Sequence, residues 1–511
     1  MNDSNQRKIG AILSYISIII STIVQIIYTP FLIRMLGQSE YGLYSLANSI
    51  IGYLAVLDLG FGNAIVVYTA KYRATKDIES EKKLHGMFKI VFYIIGLFAI
   101  LLGLILFLNV DNIFKNTMTD IEISKTKIMM IILTFNLAIS FGFSIYVSII
   151  NAYEKFVFQK VLAIICTIIK PLIMIPVLFM GYKSITMTII ITIVNTGAMI
   201  TNYLYCKHKL NLKIKYNGFD KTIFKTIFGY SIWLFIATIV DKINWSIDNF
   251  VLGAVSGTIA VSIYSVAAQL NTLFINLSTA ISGVLLPKVS KMVAKKSSSE
   301  ELTMEWIKVG RIQYYIIFIM CTGLIIFGKQ FLNIWVGKEY IESYYVALVL
   351  IIPVCIPLIQ NLGISIMQAM NKYRFRSISM LIMSIINVII SIILAKVYGP
   401  IGAAIGTGIS LIICNGIIMN IYYHYVIKLD VLKYWKNIFT MTIKFLIPII
   451  IILPIICIAN LNDILTMVVF IPLYILLYAV TSYYLVMNSY EKGIISAIIN
   501  TIRGKKYGNN M

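Results

Sequence analysis

Among the charged residues of this 511-residue chain that stand within, or at the ends of, long apolar stretches are Arg34, Asp58, Lys170, Asp241, Lys242 and Asp248. A charge in hydrocarbon costs about 2.5–3.5 kcal/mol even on the lenient insertion scale, so such residues are functional candidates by default. Arg34 ends the first stretch, and Asp58 lies late in the second beside Gly60 and Gly62. Asp58 has the chemistry to pair with a cation or to take up a proton; its competing role is that of an acidic helix end packed beside glycines. Lys170 is the one basic residue deep in its stretch, and Pro171 and Pro176 after it remove main-chain donors. Asp241 and Asp248 are two helical turns apart and share a face, whereas Lys242 points elsewhere. This is the densest charge in any stretch, and it is the expected place for proton or sodium coupling. The competing reading is an entry face at one end of the span. Asn48, Asn63, Gln269, Asn271, Asn276, Gln360, Asn361 and Gln368 add mixed donors and acceptors; interhelical bonding is the simpler use for any one of them.

The elements that hold these residues are set by composition. Apolar residues make up 59% of the chain and charged ones 13%, too apolar for a surface kept in water. The apolar residues come in blocks of about 20 or more, enough to cross about 30 Å of hydrocarbon as helix. Fourteen such segments can be drawn, from Ile9–Ile33 to Ile464–Val486. The net charge of +22 does not call for nucleic acid, because no compact basic domain or aromatic-lined groove exists to hold one. With the N-terminus placed in the cytoplasm, about 33 of the 43 Lys and Arg fall in inward-facing pieces. Both termini are therefore expected in the cytoplasm of a multi-pass membrane protein. The six cysteines show no CxxC spacing and the three histidines are not grouped, so no metal, disulfide framework or cofactor is expected. The outer loops are short, which disfavours a glycosyltransferase or polymerase with a catalytic outer domain.

The chain also repeats itself weakly. Leu36-Gly37 with Tyr44-Ser-Leu-Ala resembles Leu252-Gly253 with Tyr264-Ser-Val-Ala, Asn151-Ala-Tyr resembles Asn371-Lys-Tyr, and Asn202 to Tyr205 resembles Asn420 to Tyr423. The offsets are close to 220 residues, a period of six helices. The expected fold is an all-α membrane protein of about fourteen transmembrane helices, with two six-helix lobes around a central cleft plus two C-terminal helices. The expected division is 1–225, 226–440 and 441–511.

Several motifs then resemble a known family. Tyr28-Thr-Pro-Phe-Leu-Ile-Arg-Met-Leu-Gly, Glu40-Tyr-Gly-Leu-Tyr-Ser and Leu57-Asp-Leu-Gly-Phe-Gly-Asn are similar to the opening of Wzx-type polysaccharide flippases. Those belong to the multidrug/oligosaccharidyl-lipid/polysaccharide exporter superfamily. Ile247-Asp-Asn-Phe-Val-Leu-Gly, Tyr264-Ser-Val-Ala and Leu285-Leu-Pro extend the resemblance into the second half. It implies flipping of undecaprenyl-pyrophosphate-linked oligosaccharide across a bacterial cytoplasmic membrane, by alternating access and without catalysis. On that reading Arg34 and Lys170 would meet the pyrophosphate, with Asp58, Lys242, Asn63 and Gln269 along the substrate path and Asp241 and Asp248 coupling an ion. A guanidinium suits paired phosphate oxygens; the competing role for Arg34 is an interfacial anchor. The rivals are a multidrug/cation antiporter of the same superfamily, against which the cations Arg34, Lys170 and Lys242 count, and a lipid II flippase.

Overall fold

The computed structural model describes residues 3–212, 214, 216, 218–282, 286–370, 372–458 and 464–502. The side chain of Asp241, Asn371 of the repeat and Leu285 of the Leu-Leu-Pro motif lie outside the described residues. Every regular element described is helical: α1 Asp3–Leu54, α2 Phe61–Ala74, α3 Ile78–Phe114, α4 Asp120–Ala152, α5 Phe156–Phe179, α6 Ser184–His208, α7 Lys221–Ser282 and α8 Leu286–Ala294. The second half continues with α9 Ser299–Trp335, α10 Glu342–Ile359, α11 Asn361–Ala369, α12 Tyr373–Leu411, α13 Met419–Tyr422, α14 Val431–Ile458, α15 Ile464–Thr481 and α16 Ser489–Ile502. Helix is what an apolar chain must form in hydrocarbon, because it satisfies its own main chain.

Among the described residues, eleven helical stretches are long and apolar enough to cross a membrane. Three of them, Ile9–Ala74, Thr238–Asn276 and Tyr373–Ile427, are broken by a glycine in the left-handed region: Gly37 (φ 78°), Gly257 (φ 82°) and Gly399 (φ 56°). Counting both arms of each restores the fourteen spans read from the sequence. Local details differ from the sequence reading. Asp58 is not on a continuous helix: it ends a 3-10 turn, Ala55–Asp58, and Leu59 and Gly60 after it are both left-handed, which stops the helical ladder. Pro171 and Pro176 do not break α5, which runs on through both. The stretch carrying Pro353 and Pro357 breaks at Gln360, and there Ser278 Oγ donates to the Leu358 carbonyl (3.3 Å) and Tyr434 to that of Ile359 (2.7 Å). Those bonds serve carbonyls that the interrupted helix leaves without partners.

By contact the chain forms two compact units, Met1–Gln269 with Ser377–Ser410, and Leu270–Arg376 with Leu411–Met511. In the first, α3 packs on α4, α4 on α6 and α1 on α5, around a core that includes Phe61, Phe88, Phe92 and Ile149. In the second, α9 packs on α10 and α14, and Trp306 stacks on Tyr434 at 4.0 Å in the core. Here α16 is fastened to α9 by a buried ion pair. Arg311 Nε and Nη2 donate to Glu491 at 2.6 and 2.9 Å, and Tyr315 adds a third bond at 3.0 Å.

The backbone repeats more plainly than the sequence. Gly37 and Gly257 break their helices at an offset of 220, Lys76 and Lys296 are both left-handed at the same offset, and α3 and α9 each have 37 residues. The partner of Gly37 is therefore Gly257 and not Gly253, since the break rather than the Leu-Gly pair marks the register. Further along, Phe158 stacks on Tyr205 (3.8 Å) as Phe375 does on Tyr422 (4.2 Å), an offset of 217.

Two outcomes follow for stability. Gly37→Ala and Gly257→Ala each force alanine to a positive φ with ψ near 180°, a region essentially reserved for glycine, at about 1–3 kcal/mol. Only at Gly257 would the new Cβ also stand 2.7 Å from a main-chain oxygen, that of Thr117, while nothing lies within 4 Å of it at Gly37. Thermal unfolding in detergent is expected to show the larger loss for Gly257→Ala, and equal losses would contradict the packing described. For Glu491, burial alone would raise its carboxyl. Bonds from Arg311, the Asn488 main chain and Tyr315 outweigh burial and hold it below the ordinary carboxylate range. A carboxyl depressed on folding stabilises fully above its unfolded pKa, about 4.3, and that contribution is lost as pH falls through the depressed value. Melting temperature measured from pH 7 down to 3 is expected to drop more steeply in the parent chain than in Glu491→Gln, which should start lower and stay flatter.

Candidate functional site

Of the described residues singled out from sequence, Lys170 lines a cavity, Asp248 centres a buried hydrogen-bonded cluster, and the rest stand apart from both. Lys170, half-buried on α5, lines a cavity of about 440 Å³ with Tyr28 and Tyr44 of α1, Thr167 and Met174 of α5, and Met187 of α6. Tyr28 is held by a hydroxyl contact to Met174 Sδ at 2.8 Å. Among the described residues Lys170 makes no ion pair; its electrostatic neighbour is Cys166. An ammonium with three donors, beside three hydroxyls in a cavity, suits an oxyanion.

Asp248 is the centre of a buried polar cluster, the second pocket of the repeat only in the sense of its position. It is 1% exposed and no cation pairs with it among the described residues. Tyr264, from the arm of α7 after Gly257, donates to Oδ2, and so does Thr407 of α12 at 2.8 Å. Asn387 Nδ2 donates to Thr407 Oγ1 at 3.2 Å, and Ser391 Oγ lies 3.1 Å from both Asn387 Oδ1 and the Ala403 carbonyl. Among the described residues the other oxygen, Oδ1, is buried with no hydrogen bond within reach, as is the hydroxyl of the neighbouring Tyr53, although the Ser391 hydroxyl faces the carboxylate. Enclosing a carboxylate away from water is costly, and hydrogen bonds, a proton or a cation can offset that cost.

The other named residues belong to neither pocket. Arg34 is exposed near the end of the first arm of α1, and Asn63 is exposed in the first turn of α2. Asp58 accepts from the Gly62 main chain. Lys242 Nζ would stand 3.8 Å from a Cβ on Gly52. Gln269 Nε2 is spent on Thr29 Oγ1 at 2.6 Å, and Asn48 bonds back to its own helix at the Tyr44 carbonyl. Sequence reasoning missed Tyr28, Tyr44, Tyr264, Asn387, Ser391 and Thr407. The signals were present: Tyr264 opens a repeated motif, Asn387 and Ser391 are polar residues one turn apart in an apolar run, and Thr407 follows Gly406.

The two pockets occupy the same place in the repeat. At the offset of 220 set by Gly37 and Gly257, Tyr28 corresponds to Asp248 and Tyr44 to Tyr264. At the offset of 217 set by the ring stacks, Lys170 corresponds to Asn387.

The chain is 23% identical over 412 residues to the "Putative O-antigen transporter" of Shigella flexneri, covering 77% of this chain and 92% of that protein. Its fold matches a lipid II flippase MurJ structure in an inward closed conformation, with a TM-score of 0.71 at 20% identity over 93% of this chain and 98% of that one. It also matches an inward-facing multidrug resistance MATE family transporter of the MOP superfamily, with a TM-score of 0.64 at 12% identity over 78% and 92%. These structures share the all-α membrane fold. The family model described as polysaccharide biosynthesis protein matches residues 9–293, more than half of the sequence, and the chain belongs to that family.

Proposed function

We propose that this protein flips polyprenyl-pyrophosphate-linked oligosaccharide across a bacterial cytoplasmic membrane, by alternating access, for the export of cell-surface polysaccharide. The family supports the class of substrate, as does a relative whose name is that of an O-antigen transporter. Within the structure the reading rests on Lys170, an ammonium without an ion pair among the described residues, in a cavity lined by hydroxyls. A pyrophosphate headgroup supplies the missing anion, and tyrosine and threonine hydroxyls suit the phosphate oxygens or first sugar. Arg34 is assigned an approach contact at the end of its span, with Asp58, Lys242, Asn63 and Gln269 kept as secondary contacts along the path. Asp248, and with it Asp241, is assigned to coupling: a proton or sodium ion completes Oδ1. The lysine and arginine distribution supports cytoplasmic termini. Lipid II is the second reading, favoured by the MurJ-like fold over nearly the whole chain.

Reconstituted protein is expected to move a fluorescent polyprenyl-pyrophosphate oligosaccharide between leaflets, faster than it moves lipid II; the reverse order would install the second reading. Lys170→Ala should lower that rate about tenfold or more, the scale of one hydrogen bond to a charged group. Arg34→Ala, being exposed, should have a smaller effect. Full rates in both would remove the cationic path. Asp248→Asn should leave movement down the substrate gradient but abolish its acceleration by an imposed sodium or proton gradient.

A further inference from the structure

Each pocket is followed in sequence by a residue that reaches to the other copy of the repeat. Thr29 follows Tyr28 of the Lys170 pocket, and Asn249 follows Asp248 of the ion pocket. Gln269 Nε2 donates to Thr29 Oγ1 at 2.6 Å, and Asn249 Nδ2 donates to Ser49 Oγ at 2.9 Å. In the register of 220, Thr29 corresponds to Asn249 and Ser49 to Gln269. The two bonds are thus one contact made twice, reciprocally: the first arm of α1 with the second arm of α7, and the first arm of α7 with the second arm of α1. Thr29 is buried, and Gln269 and Asn249 are half-buried.

We propose that this reciprocal pair couples the ion pocket to the anion pocket, an inference that rests on the roles assigned above to Asp248 and Lys170. Neighbouring residues on a helix move together, separated by a rise of about 1.5 Å. A shift of Asp248 when its ion arrives therefore carries Asn249 with it. Asn249 is held on its other side by Ser265 Oγ at 3.3 Å, one residue after the Tyr264 that bonds Asp248, so both arms of α7 report on the same pocket. The bond to Ser49 then passes the displacement to the second arm of α1, which carries Tyr44 of the anion pocket. Gln269, on the arm with Tyr264, passes the reverse message to Thr29 and Tyr28. There is little slack between these arms, since a Cβ on Gly42 would stand 1.9 Å from the Thr258 carbonyl oxygen. Coupling requires only that the two pockets favour the same arrangement of the four arms.

The test uses the full chain in proteoliposomes with the fluorescent lipid-linked oligosaccharide, with and without an imposed sodium or proton gradient. Ser49→Ala and Thr29→Val should keep basal movement and cut the stimulation by the gradient about fivefold, the lower end of usual coupling between two sites. The double variant should abolish it. Ser49→Thr, which keeps the hydroxyl, should restore stimulation. Undiminished stimulation in both single variants and the double, with Asp248→Asn unresponsive, would leave the ion pocket standing and overturn the coupling. A response retained in Asp248→Asn, or missing in the parent chain, would overturn the ion pocket and the coupling with it. A proportional fall in basal and stimulated rates would make the contacts merely structural and also overturn the inference. Gel filtration in detergent checks folding, and should one single variant fail it, the other and Ser49→Thr decide the matter.

Discussion

Hydrocarbon offers a polar group no partner, and each main-chain or side-chain group left alone in it costs several kcal/mol. The chain answers with helix in every described regular element and with local repair where a helix is interrupted. At the break beside Gln360, Ser278 and Tyr434 cover exposed carbonyls. Thr167, Thr188 and Asn48 bond back to carbonyls one turn earlier on their own helices. Glu40, buried at the start of the second arm of α1, is matched by Lys125 and by the Ser184 hydroxyl. Against that background a polar group without a partner carries information. Among the described residues, Lys170 without an ion pair, Asp248 Oδ1 and the Tyr53 hydroxyl are groups of this kind; the first lines the cavity and the second centres the buried polar cluster.

This constraint explains which features were legible from sequence. Helix number and class were legible because span length is fixed by membrane thickness, and even spans joined without a loop, as at Gly37 and Gly257, showed as separate apolar runs. Lys170 and Asp248 stood out because charge in an apolar run is costly. Their surroundings did not, because tyrosine, threonine and asparagine are common in membrane helices and only packing decides which of them meet. Gln269 shows the difficulty: its type suits a sugar, yet its amide nitrogen is taken by Thr29. Asp58 shows another, since two consecutive left-handed residues, one of them Leu59, set its backbone and no composition rule foresees a leucine there.

The duplication gives the pockets their deeper relation. One copy presents Tyr28, Tyr44 and Lys170; the other, at the corresponding positions, presents Asp248, Tyr264 and Asn387. The second tyrosine is kept. At the position of Tyr28 the other copy has a carboxylate, and at the position of Lys170 it has a neutral amide. These two changes turn a cationic pocket into an anionic one on the same helical frame. On the proposed assignments, the ammonium is satisfied by an anion that arrives and the carboxylate by a proton or cation that arrives, so one scaffold used twice takes opposite ligands. The demand suits a carrier of an anionic headgroup, because each pocket is costly when empty and the arms joining them are shared. Under the proposed coupling, filling one site favours the arrangement that fills the other, because both prefer the same placing of the arms when loaded.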